Sequence, residues 1–211
     1  MIVYDIEIAN AIPDKKSPIV EGIRYCEGWR DFAGMGIATI AAYDVEEQRS
    51  RVFFADNLGD FADLVERHDV IASFNGDGFD SPLLAANGVV IPPEKSYDLL
   101  VEVWSAAGLG PNFYWKTHMG YGLDALCQAN FGTGKTGNGA LAPINFQRGH
   151  FGAVVDYNLA DTWLTWRLIQ KVIQTGQLVC PKTGNRMLQI ALPKGYPVPF
   201  HAPNREPENC A

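Results

Sequence analysis

The first eight residues, Met1-Ile2-Val3-Tyr4-Asp5-Ile6-Glu7-Ile8, constrain the fold most. Apolar residues alternate with Tyr4, Asp5 and Glu7, which predicts a strand. Side chains repeat every two residues along a strand, so Asp5 and Glu7 share one face. Two carboxylates that close repel each other, and a bound cation is the simplest way to keep both ionised. The plainer possibility is an edge strand with one solvated face, where acidic residues are common.

Downstream, residues 9–34 form a long connection containing Pro13, Pro18 and Trp29, expected to lie over the site or to contain irregular strand. Residues 36–43 and 51–55 read as an antiparallel hairpin that continues the sheet. Leu58, Phe61, Leu64 and Val65 have helical spacing, with Asn57 as the expected N-cap. Val70 to Phe74 is a short apolar run of the kind that forms a buried parallel strand. A Gly-rich turn over 75–79 leads into a helix whose first positions suit Ser81 and Pro82. Residues 96–104 predict a short strand or turn and then a helix, 108–119 a loop, and 122–131 another helix. The glycine-rich stretch 132–146 is expected to be mobile. Residues 151–174 carry the longest helical pattern, with Val155, Leu159, Trp163 and Trp166 on its apolar face and Gly176 ending it. A hairpin and a Pro-rich irregular end complete the chain. This order of a strand meander, then strands alternating with helices, predicts an α/β fold with helices against a mixed sheet. The expected division is a domain over 1–174 and a C-terminal extension over 175–211.

With 211 residues and 47% apolar content, one large domain has ample core material. No apolar run is long enough to span a bilayer, and no secretory signal is evident. The four cysteines are scattered, which argues against structural zinc and fits a reduced, cytoplasmic setting. A formal net charge of −7 disfavours passive duplex coating. It is compatible with an enzyme that meets phosphate through cations held on its own carboxylates.

Two further carboxylates stand where a site needs them. Asp80 follows an apolar strand and a turn at the mouth of a helix, and sites in open α/β sheets form beyond strand ends. Asp161 lies four residues after Tyr157 on the long helix, and positions i and i+4 share a helix face. Converging with Asp5 and Glu7, these groups would make an oxygen-rich, His-poor centre suited to Mg²⁺ or Mn²⁺. Asp77 and Asp156 compete with Asp80 and Asp161 for these roles.

The segments Tyr4-Asp5-Ile6-Glu7, Phe74-Asn75-Gly76-Asp77-Gly78-Phe79-Asp80-Ser81-Pro82 and Asp156-Tyr157-Asn158-Leu159-Ala160-Asp161 resemble, in order and spacing, the three exonuclease motifs of the DEDD superfamily. Tyr157 resembles the mark of the tyrosine (DEDDy) subgroup. The second segment is most similar to the proofreading exonuclease domain of family B DNA polymerases. The resemblance covers roughly residues 1–174. It implies a ribonuclease-H-like fold and 3′–5′ removal of nucleotides by two divalent cations. Asp5, Glu7, Asp80 and Asp161 would then be the metal carboxylates, and Tyr157 would orient the attacking water. Asn75 and Phe79 would shape the slot for the terminal nucleotides. The expected substrate is a single-stranded 3′ end, DNA ahead of RNA, although contacts to the 2′-OH that would decide this are not placed by sequence. A separate polymerase or repair protein is a candidate partner. The alternative is a catalytically silent binding or scaffold module of the same fold.

Ala129 to Thr136 matches a relaxed phosphate-loop pattern, but that loop needs a strand before it and a helix after it. The better expectation is a loop beside the nucleic-acid path, with Lys135 contacting phosphate or simply solvated. His118 and His150 are expected to be structural or exposed. Phe113, Tyr114, Trp115 and Lys116 form a cluster that could stack bases, with core or lid packing the plainer expectation, and Trp163 and Trp166 are expected in the core of the long helix.

Overall fold

In the computed structural model of the chain, residues 1–14 and 18–197 are described. The Pro-rich end beyond them, with Cys210, lies outside the described residues. The first strand, β1 (Ile2–Ile8), is the middle of a five-stranded sheet. On one side it pairs antiparallel with β2 (Ile37–Asp44), which pairs antiparallel with β3 (Arg49–Phe53). On the other it pairs parallel with β4 (Ile71–Ser73), followed by β5 (Ser96–Asp98). The order β3-β2-β1-β4-β5 with flanking helices is the ribonuclease-H-like arrangement. An edge position for β1 is therefore excluded.

Alternation along β1 feeds two separate cores. Ile2, Tyr4, Ile6 and Ile8 face the cluster built with α2 (Leu58–Arg67) and α3 (Asp80–Ala86). Met1 and Val3 face the opposite cluster. That cluster is built with α4 (Leu99–Ala106), α6 (Leu123–Phe131) and α8 (Phe151–Thr175). Fully burying side chains such as Ile2, Phe61 and Leu83 contributes roughly 1.5–3 kcal/mol each. Asp5 and Glu7 continue the α8 side, where apolar packing gives way to polar groups. Helix α8 lies across β1 and β2. It ends at Gly176, whose left-handed φ of 70° lets its N–H close on Val172 O at 2.7 Å.

Several local expectations are corrected. Asn57 occupies the N-cap position of α2 without capping it, because its Oδ1 accepts the Phe54 N–H instead. The long connection after β1 contains a short helix, α1 (Phe32–Met35), and a bridge between Ala11 and Tyr25. The loop over 108–119 contains α5 (Trp115–His118). Phe113, Tyr114 and Trp115 do not pack away but are 60%, 51% and 62% exposed. His118 is buried, bonded to Gly110 O at 2.9 Å and edge-on to Trp104. His150 is exposed just ahead of α8. Trp166 is buried, but Trp163 is exposed, edge-on to Tyr43. The helix is rotated because its inner face also carries Asn158, Asp161, Thr162 and Thr165. The stretch after 132 folds from Gly139 onward into a 3-10 turn and α7 (Ala142–Gln147).

The terminal hairpin, β6 (Gln177–Val179) and β7 (Met187–Gln189), is a separate two-stranded sheet. Its Leu178, Cys180, Leu188 and Ile190 are buried in the same cluster as α4, α6 and α8. Cys26, Cys127 and Cys180 are free thiols in the interior. Among the described residues, no helix is long and apolar enough to cross a membrane.

Candidate functional site

Two elements bring the chemistry together. Strand β1 presents Asp5 and Glu7 because its side chains alternate. Helix α8 presents Tyr157 and Asp161 because its residues repeat every turn. Asp5, Glu7 and Asp161 each place a carboxylate oxygen within 4.8 Å of the others, and this trio can hold a metal ion. They border a cavity of about 890 Å³ together with Tyr157 and Lys135. Its lining also includes the apolar and aromatic side chains of Ile8, Ile12, Trp29, Phe79 and Pro143.

The electrostatics are those of a centre short of positive charge. Burial, then the charge of Asp161, pushes the Asp5 carboxyl up to about 7. Burial, then the charge of Asp5, pushes Glu7 up to about 9. Asp161 Oδ1 is buried and has no hydrogen-bond partner among the described residues. Its other oxygen takes the Lys135 ammonium at 2.5 Å. Lys135 Nζ also donates to the Tyr157 hydroxyl at 3.1 Å and lies over its ring. Burial would lower the Lys135 pKa, but the Asp161 charge outweighs it and raises it. Burial pushes the Tyr157 phenol up to about 12, so it is protonated at neutral pH.

The segment carrying Lys135 lies directly on the site. A Cβ at Gly137 would come within 2.8 Å of the Tyr157 ring, so this close approach needs glycine. Lys135 is thus neither a phosphate-loop lysine nor a solvated one. Helix α6 precedes it and a 3-10 turn follows, which is the wrong context for a phosphate loop.

Asp80 is adjacent to the trio but not part of it. At the first position of α3, its buried carboxyl takes the Ile6 N–H and its own N–H. Strand β4 pairs with β1 only as far as Val3, which leaves that edge of β1 to Asp80. Burial, then the Asp5 charge, holds its pKa well above the usual range. Asp77 points elsewhere, accepting from Ser96 Oγ at 2.8 Å. Asp156 is exposed. Asn75 adopts a left-handed φ of 68°, and its N–H is held by Asp98 Oδ1. It does not line the cavity, whereas Phe79 does, edge-on to Trp29 and Phe32.

Three residues that the sequence reading did not select complete the arrangement. Asn158 donates to Asp5 Oδ2 at 2.7 Å, and Thr39 Oγ1 donates to Asn158 Oδ1 at 3.0 Å. Its signal was a polar residue next to Tyr157 on a helix face that had to be buried. Asp98 accepts the backbone N–H groups of Asn75, Asp77 and Leu100, so it organises the turn before Asp80. Trp29 is 70% exposed on the cavity rim, with no periodic pattern to announce it.

No protein-family model matches the chain, and no curated protein matches it. Among solved structures it is similar to the family B DNA polymerase from the hyperthermophilic archaeon Pyrobaculum calidifontis, with a TM-score of 0.54 and 18% sequence identity. The match covers 82% of this chain, which spans 24% of that polymerase. At this identity the likeness is one of fold. The chain thus joins a ribonuclease-H-like fold, similar to part of a DNA polymerase, to a three-carboxylate group that can hold a metal ion.

Proposed function

We propose that the chain is a divalent-cation-dependent 3′–5′ exonuclease of the DEDDy type. Its substrate is the 3′ end of single-stranded nucleic acid, DNA ahead of RNA. The observation that carries this reading is the convergence of Asp5, Glu7, Tyr157 and Asp161 on one cavity that Trp29 and Phe79 also line.

The donor set fits divalent cations. It is all oxygen, the Asp5 and Glu7 carboxyls are held above their usual range by burial and neighbouring carboxylates, and Asp161 keeps an unpartnered buried oxygen. Asp5, Glu7 and Asp161, with Asp80 beside them, would hold two Mg²⁺ or Mn²⁺ ions. When bound, these cations neutralise the phosphodiester's charge and acidify water. Tyr157, protonated at neutral pH, orients the attacking water through its hydroxyl rather than accepting its proton. Asn158 holds Asp5 in place. Phe79 and Trp29 seat the terminal bases by stacking. Water adds to phosphorus, the bond to the 3′ oxygen of the penultimate nucleotide breaks, and a mononucleotide leaves.

The test is release of mononucleotides from labelled single-stranded DNA and RNA with Mg²⁺ or Mn²⁺. Activity is expected from the wild type and lost in Asp5→Ala, in metal-free buffer and on 3′-blocked substrate. Equal activity in any of these would overturn the mechanism. Binding without turnover in the wild type would favour the silent module. A separate polymerase or repair protein as partner belongs to the same proposal.

A further inference from the structure

The acidic chain has three long stretches without acid: between Glu102 and Asp124, between Asp124 and Asp156, and between Asp161 and Glu206. The fold puts the first and the last of these side by side. Lys182, in the turn of the β6–β7 hairpin, reaches Thr117 O at 3.3 Å and lies over the Tyr121 ring. Asn130, near the end of α6, exchanges hydrogen bonds with both backbone groups of Val179.

Every cation–aromatic pair among the described residues falls on this surface or at the site it leads to. Lys135 covers Tyr157 at the site. Four residues earlier, Phe131 carries Arg167 at 4.2 Å and Lys171 at 5.6 Å. At the other end of α6, on the order of 13 Å away for a helix of this length, Lys182 covers Tyr121. Beyond it, the exposed Trp115 carries Lys116. Phe113, Tyr114 and Met119 around it are also exposed. Asp124, the acid closest to this line on α6, is engaged with the Lys135 N–H.

We infer that this line of cations and rings, from Lys135 past Phe131 and Tyr121 to Trp115, is a docking track for the body of a single-stranded polynucleotide whose 3′ end lies at the carboxylates. The inference rests on the nuclease reading of that site. The cations match a flexible polyanion, and the exposed Trp115, Phe113 and Tyr114 offer stackable faces at the far end, while Tyr121 is buried beside Lys182. Among the described residues of α5, α6 and the hairpin, Asp124 is the one carboxylate, and it is held by the Lys135 N–H. Its span suits several nucleotides, within the roughly 4–16 typical of single-strand grooves. Cations and ring faces read no base edge, so binding should be indifferent to sequence.

The experiment is fluorescence anisotropy with labelled oligothymidylates of increasing length, in metal-free buffer, on the full chain. Wild-type affinity should rise with length over the first several nucleotides. The double variant Lys116→Glu/Lys182→Glu should bind the longer oligomers about tenfold more weakly. Its slope of log affinity against log salt should fall by about 1.4, since each lost single-strand phosphate contact removes about 0.7. Arg67→Glu, on α2 and away from the track, serves as the charge control. Loss of length dependence in the wild type, or an equal effect of Arg67→Glu, would overturn the track, as would preference for an acidic peptide over the oligonucleotide. Because binding is read without turnover, a chain that binds by length yet never hydrolyses defeats the nuclease reading and leaves the track standing. A chain that hydrolyses without length-dependent binding does the reverse.

Discussion

Asn158 of α8 donates to Asp5 of β1 across 2.7 Å, joining residues 153 positions apart at the centre of the site. Asn158 is itself fixed by Thr39 of β2, so a strand, a helix and a neighbouring strand orient one carboxylate. Groups that orient a metal ligand typically affect metal affinity or activity 10–100-fold when removed. Asn158→Ala should therefore weaken Mn²⁺ binding by about 10–100-fold in titration calorimetry, with hydrolysis falling in parallel. A lowered melting temperature with unchanged Mn²⁺ affinity would make the residue structural only.

Lys135 supplies the positive charge next to Asp161 when no metal is bound. Lys135→Met leaves the trio uncompensated and should destabilise the metal-free protein by about 1–3 kcal/mol. The variant should bind Mg²⁺ more tightly than wild type, because a competing cation is gone. Hydrolysis should fall, because Tyr157 loses its hydrogen bond to the ammonium. Thermal melts with and without Mg²⁺ check the first two expectations. Unchanged Mg²⁺ affinity would show that Lys135 does not compete for the carboxylates.

Glu7 sets a pH dependence whose sign follows from its raised pKa. The folded, metal-free chain holds the Glu7 proton up to about pH 9, whereas the unfolded chain releases it near 4.5. Between these values the folded state binds more protons, so this group's contribution is full below about 4.5 and is lost as pH rises through 9. Asp5 acts in the same direction, between 3.8 and about 7. The metal-free melting temperature should fall with rising pH across this range more steeply in the wild type than in Glu7→Gln. Saturating Mg²⁺ should flatten the wild-type profile, since a bound cation favours the ionised carboxylates. Identical profiles for the two proteins without metal would contradict the burial of an ionisable Glu7.

Trp29 is the exposed aromatic at the rim of the cavity. Base–aromatic stacking contributes about 1–3 kcal/mol per base. Trp29→Ala should raise KM for single-stranded oligonucleotides about tenfold, while kcat changes little. Trp29→Phe should restore most of the affinity. A kcat loss with unchanged KM would place Trp29 in the chemistry instead of in base seating.

Much of this architecture was legible in local pattern. The alternation of Met1 to Ile8 made a strand with two carboxylates on one face. The spacing of Tyr157 and Asp161 put both on one side of a long helix. Four of the five sheet strands and the longer helices α2, α3, α4, α6 and α8 follow from apolar periods and Gly or Pro punctuation, whereas the short α1, α5 and α7 carry too few residues to show a period. The ion pair of Lys135 with Asp161 is not legible in sequence, because a glycine-rich segment carries no period that says what it will cover. Trp163 was assigned to the core on hydrophobicity alone. In fact the buried face of α8 is turned toward the polar residues that serve Asp5 and Glu7.

By itself the sequence determined which residues could cooperate within one element: Asp5 with Glu7 by the strand's two-residue repeat, and Tyr157 with Asp161 by one turn of helix. These relations need only backbone geometry. Only the tertiary structure decided that the two pairs face each other across β1 and α8. It also decided that Asn158 orients Asp5, that Lys135 enters the carboxylates, and that Asp80 stands beside the trio rather than in it. Those relations join residues up to 153 positions apart. They depend on how the sheet and the long helix pack, and no local period records that packing.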